Sequence, residues 1–223
     1  VLAIAETVAY AHAQGIIHRD LKPENVLVGE FGETVVIDWG LAKQLGEPED
    51  PVDADPRLAN AAVPVDPTQQ LTHVGAIVGT PGFMSPEQAS SAAAVDERSD
   101  VYALGVILYQ ALSGALPYDA ESAVEMVFKT VYDRPVPLQR REPQVPEELT
   151  AFVEKAMARE LAARYPTARA FADDLRRFQT GQIVGAHRYT AWELLLRALR
   201  RYRAPIAAAA VALVIIIIIT ALS

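Results

Sequence analysis

The chain has 223 residues, a net charge of −8, 51% hydrophobic residues and no cysteine. That length suits one sizeable core, or one domain with appendages. The acidic balance argues against general nucleic-acid binding, since a polyanion would be repelled, and the lack of cysteine excludes a disulfide framework or a thiolate metal site. Residue 1 is Val, and the first residues read as the middle of a helix, so the chain is expected to start inside a longer protein; no signal peptide is visible. Residues 1–14 place Leu2, Ala5, Val8, Ala9 and His12 at helical spacing, and Gly15 suits a left-handed terminator. His12 and Gln14 are placed on the solvated end of that helix, with no chemical role.

A polar loop follows, pinned between Ile16-Ile17 and Val26-Leu27-Val28. From His18 to Asn25 it holds an imidazole, an acid, a base and an amide. Apolar flanks fix such a loop, and the loop displays the charges. Val26-Leu27-Val28 and residues 34–37 are β-branched runs around a turn at 29–33, and they read as a hairpin. Asp38-Trp39-Gly40 ends the second strand, thirteen residues after Asn25. The run His18-Arg19-Asp20-Leu21-Lys22-Pro23-Glu24-Asn25 fits H-R-D-L-x-x-x-N. Here the chain resembles the eukaryotic-type (Hanks-type) serine/threonine protein kinases. Asp38-Trp39-Gly40 stands where such kinases read D-F-G; Trp keeps a large aromatic, and the acid is retained.

Residues 44–70 alternate Pro48, Pro51, Pro56, Pro64 and Pro67 with acids and alanines. No period survives that much proline, so this stretch is expected to be a mobile insertion in the activation segment. Residues 79–87, Gly-Thr-Pro-Gly-Phe-Met-Ser-Pro-Glu, resemble the substrate-docking loop and the A-P-E signature, with Ser85 in place of Ala. Residues 96–114 are apolar nearly all round and predict a helix buried on every side, too short and too polar to span a bilayer. A helix is expected over 121–131, then a connecting loop over 133–146. Leu149, Phe152, Val153, Ala156 and Met157 follow amphipathic helical spacing. Thr167 is placed as the N-cap of a last helix with Phe171, Leu175 and Phe178 inward.

Trp192, Leu195, Leu196, Leu199 and Tyr202 form one helical stripe, with Arg197, Arg200, Arg201 and Arg203 elsewhere around it. Such a basic amphipathic segment suits an anionic membrane surface. Residues 204–222 carry no charge and include five consecutive isoleucines. Nineteen helical residues span roughly 28 Å, close to a bilayer's hydrocarbon thickness. The preceding arginines place the N-terminal side in the cytoplasm.

The resemblance covers residues 1 to about 180. It implies a mainly α fold: a protein-kinase-like C-terminal lobe, a helical bundle with short β-hairpins, followed by a transmembrane helix. The expected domains are a partial kinase lobe at 1–180, a basic juxtamembrane segment at 181–203 and a membrane helix at 204–222, as in bacterial single-span kinases. The cofactors implied are ATP and Mg²⁺, with Mn²⁺ as a substitute. The resemblance makes Asp20 the catalytic acceptor of a substrate hydroxyl proton, with Lys22 offsetting charge on the transferred phosphoryl group and Thr80 bridging Asp20 and Lys22. Asn25 and Asp38 are the implied metal ligands. His18 shapes the loop, and Arg19 docks a phosphorylated residue of the activation segment, Thr72 first and Thr68 second. Asp100 anchors the backbone of the catalytic loop, and Arg164 pairs with Glu87. The partners implied are protein substrates, the lipid bilayer, and a second copy for phosphorylation of the activation segment. No glycine-rich loop, V-A-I-K lysine or regulatory-helix Glu can be found. Those parts are expected before residue 1, and residues 1–223 alone are expected to show no measurable kinase activity. A membrane-tethered pseudokinase is the alternative, but its hallmark, loss of Asp20, Asn25 or Asp38, is absent. A small-molecule phosphotransferase is disfavoured by residues 79–87.

Overall fold

The computed structural model describes residues 1–44, 79–90, 95–187, 190 and 192. The expected insertion beyond Gln44, Thr72 and the span at 204–222 lie outside the described residues. Residues 1–186 form one unit and residues 187–223 a second. In the second, Trp192 is exposed.

The first unit runs α1 (Leu2–Ala13), β1 (Ile16–Ile17), a 3-10 turn (Pro23–Asn25), β2 (Val26–Val28), β3 (Thr34–Val36), β4 (Lys43–Gln44), α2 (Pro86–Ala89), α3 (Arg98–Ser113), α4 (Ala123–Tyr132), α5 (Leu138–Arg141), α6 (Glu147–Ala156) and α7 (Ala168–Gln179). It is helix-rich with few strands. β2 and β3 pair antiparallel with Val26 opposite Val36, and β1 pairs antiparallel with β4, Ile16 opposite Gln44.

α3 is the hub. Every residue from Ser99 to Tyr109 is buried, as an apolar run without a polar face requires. Each large apolar side chain taken out of water there contributes about 1.5–3 kcal/mol. α6 packs on α3, and α7 packs on both α6 and α1. Gly105 permits the close α3–α6 approach: a Cβ there would stand 2.8 Å from Ala156 Cβ and 2.9 Å from Met157 Cγ. Gly114, at φ +72°, stops α3 in the left-handed region. Ser122 and Thr167 cap α4 and α7, accepting from the amides of Glu125 and Ala170.

Three short elements depart from the expected layout. β4 holds Gln44, which the sequence placed in the insertion. α2 is a single turn begun by Ser85 and Pro86. α5 lies inside the expected loop at 133–146, held by buried Leu138 and by Arg141 Nε donating to Tyr109 OH at 3.1 Å. Elements of two to four residues are too short for a hydrophobic period to register. Among the described residues no helix is long and apolar enough to cross a membrane.

Candidate active site

The polar loop after β1 is held from below by α3. Asp100, buried in the first turn of α3, accepts from the His18 amide at 2.8 Å (Oδ2) and the Arg19 amide at 2.9 Å (Oδ1). Arg19 sits at φ +70°, a left-handed conformation that costs a non-glycine residue about 1–2 kcal/mol. Two charge-assisted bonds on consecutive amides offset that cost and set where the next residue, Asp20, points.

His12 is a correction to the sequence reading. It is buried rather than solvated, and its Nε2 lies 2.8 Å from Asp100 Oδ2. A carboxylate in α3 only accepts, so Nε2 carries the proton of that bond. Asp100 thus ties α1 and the loop to the hub. Spacing along α1 placed His12 on the helical stripe but gave no sign of a partner 88 residues away. His12→Leu removes a donor to a buried carboxylate and lowers stability by about 1–3 kcal/mol. A urea midpoint that falls with unchanged slope would register this; a midpoint equal to that of the unsubstituted protein would contradict it.

Two side chains meet Asp20 and each other. Thr80 Oγ1 donates to Asp20 Oδ1 at 2.7 Å, and Lys22 Nζ donates to Asp20 Oδ2 and to Thr80 Oγ1, both at 2.8 Å. The triangle joins the loop after β1 to the loop before α2, sixty residues apart in sequence. Burial pushes the Asp20 carboxyl up, but hydrogen bonds from Lys22 and Thr80 and the charge of Lys22 outweigh it. Its pKa is held below the ordinary aspartate value, so Asp20 is a carboxylate at neutral pH. Its folded pKa lies below its unfolded one. The stabilisation from ionised Asp20 is therefore present at neutral pH and lost as pH falls through the lowered value.

Asn25 Nδ2 donates to the Asp20 carbonyl at 2.9 Å and approaches Asp20 Oδ2 at 3.4 Å. With the amide nitrogen spent, the amide oxygen is the atom left to ligate a cation. Asp38 lies two residues past the end of β3. Ile37, just before it, donates its amide to the Asn25 carbonyl at 2.9 Å and accepts from His18 Nε2 at 3.1 Å. Trp39, just after it, stands with its ring 4.6 Å from the His18 ring and donates Nε1 to the Val36 carbonyl at 3.1 Å. Asp38 itself is exposed and sits at φ +58°. The left-handed non-glycine residues among those described are Arg19, inside the polar loop, and Asp38, after the hairpin. His18 uses both ring nitrogens: Nδ1 accepts from the Asp20 amide at 3.3 Å while Nε2 donates to Ile37. Fully buried and doubly bonded, it orients the loop and has no atom free to carry a proton to a substrate.

Arg164 ties the segment before α3 to the core. Its side chain is fully buried, with Nη1 2.7 Å and Nη2 3.2 Å from the two Glu87 oxygens. Thr72, the remaining residue picked out from the sequence, lies outside the described residues.

The arrangement offers an ionised acceptor, a cation beside it, a hydroxyl bridging the two, and hard oxygen donors on neighbouring backbone. Among the described residues no group of three or more His, Cys, Asp or Glu is placed to hold a metal ion. One carboxylate and one amide oxygen suit an ion that takes its other ligands from phosphates and water, as Mg²⁺ does. Leu27, next but one to Asn25, is 54% exposed, leaving an apolar surface beside these donors that the sequence reading assigned no role.

The family model described as "Protein kinase domain" matches residues 1–175. The chain belongs to the protein kinase family. Among similar proteins, the serine/threonine-protein kinase PknD of Protochlamydia amoebophila is 34% identical over 185 residues, which is 81% of this chain and 18% of the relative. PknB of Mycolicibacterium smegmatis is 37% identical over 173 residues, 78% of this chain and 24% of the relative. PrkC of Bacillus subtilis is 30% identical over 190 residues, 85% of this chain and 26% of the relative. This kinase-family chain thus spans 18–26% of the length of those relatives.

Proposed function

We propose that the protein is a serine/threonine protein kinase that transfers the γ-phosphoryl group of ATP to hydroxyls of protein substrates. The observation that carries the reading is the triangle of Asp20, Lys22 and Thr80. Asp20 accepts the hydrogen bond of the substrate hydroxyl and takes its proton as the new O–P bond forms and the bond from the γ-phosphorus to the β–γ bridging oxygen breaks, releasing ADP. Lys22 stands where negative charge gathers on the transferred group, and Thr80 keeps acid and base in register. Asn25 and Asp38 would hold Mg²⁺, which would supply neutralisation of phosphate charge. Lys22 two residues after Asp20, and Thr80 seven before Glu87, resemble serine/threonine rather than tyrosine kinases. The relatives' names point the same way.

The reading extends to regulation and place. Arg19 Nε is buried and, among the described residues, has no hydrogen-bond partner, which suits a phosphate on Thr72 delivered by a second copy of the chain. The uncharged run at 204–222, with arginines before it, anchors the protein in a membrane as a single span with the kinase portion on the cytoplasmic side.

Incubating the full-length protein with radiolabelled ATP, Mg²⁺ and a generic basic protein, then hydrolysing the product, tests the chemistry. Label in phosphoserine and phosphothreonine is expected. Label confined to phosphotyrosine, or to a small alcohol, would overturn the assignment. Residues 1–223 expressed alone, without a glycine-rich loop or strand lysine, are expected to transfer no measurable label.

A further inference from the structure

The turn that begins α2 carries one side chain with two jobs. Ser85 and Gln88 form a reciprocal cap: Ser85 Oγ accepts from the Gln88 amide, and Gln88 Oε1 accepts from the Ser85 amide and hydroxyl, both at 3.1 Å. Gln88 then extends past the cap. Its Nε2 donates to the Arg19 carbonyl at 2.8 Å, across 69 residues of sequence. The network settles which atom is nitrogen, because one end meets two donors and the other meets a carbonyl. Gln88 and Ser85 are both buried, at 8% and 0% exposure. The carbonyl it holds belongs to left-handed Arg19 and leads directly into the peptide of Asp20. Gly79 leaves room beside the same oxygen, since a Cβ there would lie 3.1 Å from it.

We propose that Gln88 is a positioning residue for phosphoryl transfer, locking the Arg19 peptide and through it the aim of Asp20. Asp100 holds the His18 and Arg19 amides, and Gln88 holds the Arg19 carbonyl that follows them. A backbone in a disfavoured conformation stays there only when it is held at both ends. An amide suits this position because it accepts for the cap and donates to the loop with one side chain.

The proposal rests on the kinase reading, but its test does not need turnover. Gln88→Glu keeps an acceptor for Ser85 and replaces the donor aimed at Arg19 with an oxygen. Ser85→Ala removes the cap and leaves the Gln88–Arg19 bond. Amide hydrogen exchange is followed at His18, Arg19 and Asp20, whose amides are bonded in the structure. Q88E is expected to speed exchange at these amides roughly tenfold or more, with exchange in α6 and α7 unchanged. S85A is expected to lower the melting temperature while these three amides exchange as before. In the full-length protein Q88E is expected to lower kcat with KM for ATP unchanged. Unaltered exchange at the three amides in Q88E, or an equal rise in both variants, would overturn the proposal. If Q88E fails to fold, Gln88→Met replaces it, keeping the length without the donor, under the same criteria. Absence of label transfer by the unsubstituted protein would instead count against the kinase reading alone.

Discussion

Asp20→Asn is expected to lower kcat by about 10²–10⁴-fold in the full-length protein, the range assigned to a positioned acid–base group. The substitution keeps the size of the side chain. It removes the charge that Lys22 and Thr80 are arranged around, and it turns an NH₂ toward one of two donors that now face a carboxylate oxygen. Neither result leaves an ionised acceptor for a substrate hydroxyl. Nucleotide binding should survive, because the donors assigned to the metal are Asn25 and Asp38. The expected pattern is thus a collapse of kcat with KM for ATP little changed, read from initial rates of label transfer. A rate within threefold of the unsubstituted protein would remove Asp20 from the mechanism.

Arg164→Met is expected to have the largest effect on stability. The guanidinium makes four bonds: two to Glu87, one from Nη1 to the Arg98 carbonyl at 2.7 Å and one from Nε to the Ala158 carbonyl at 3.1 Å. It also stands 5.2 Å from the centre of the Tyr102 ring. Methionine fills much of the space but leaves the Glu87 carboxylate, itself only 14% exposed, without its cation. Removing one member of a buried pair costs about 3–5 kcal/mol, most of it the stranded charge. Urea unfolding should show that loss as a lowered midpoint. Adding Glu87→Gln to Arg164→Met should recover part of it, since the two residues share one interaction. A loss below about 1 kcal/mol would mean that the pair behaves like a surface ion pair.

Long periodic elements were legible in the sequence, and so was the site's inventory, for different reasons. α1, α6 and α7 announce themselves because burial of a helix face repeats over successive turns, and α3 because its apolar run has no polar face. The β2–β3 hairpin shows as two β-branched runs about a glycine turn. The polar loop could be written down from the order of its residues. Distant partners could be named only where the family pattern supplied them, as with Asp100 under the loop and with the Arg164–Glu87 pair. His12 and Gln88 were missed because each acts through one hydrogen bond to a residue 69 to 88 positions away, and spacing within an element carries no trace of such a contact. β4 and α5 were missed for want of length. The left-handed backbone at Arg19 and Asp38 could not be read either, since neither residue type demands positive φ.

The central claim is that Asn25 and Asp38 hold the divalent cation beside Asp20. A crystal of the full-length kinase soaked with Mn²⁺ and a non-hydrolysable ATP analogue tests it by anomalous scattering. The account predicts a peak within roughly 2.0–2.5 Å of the Asn25 amide oxygen and the Asp38 carboxylate, near the oxygen–metal distances of such ions. A peak bound to other side chains, with Asp38 turned away from the nucleotide, would contradict it.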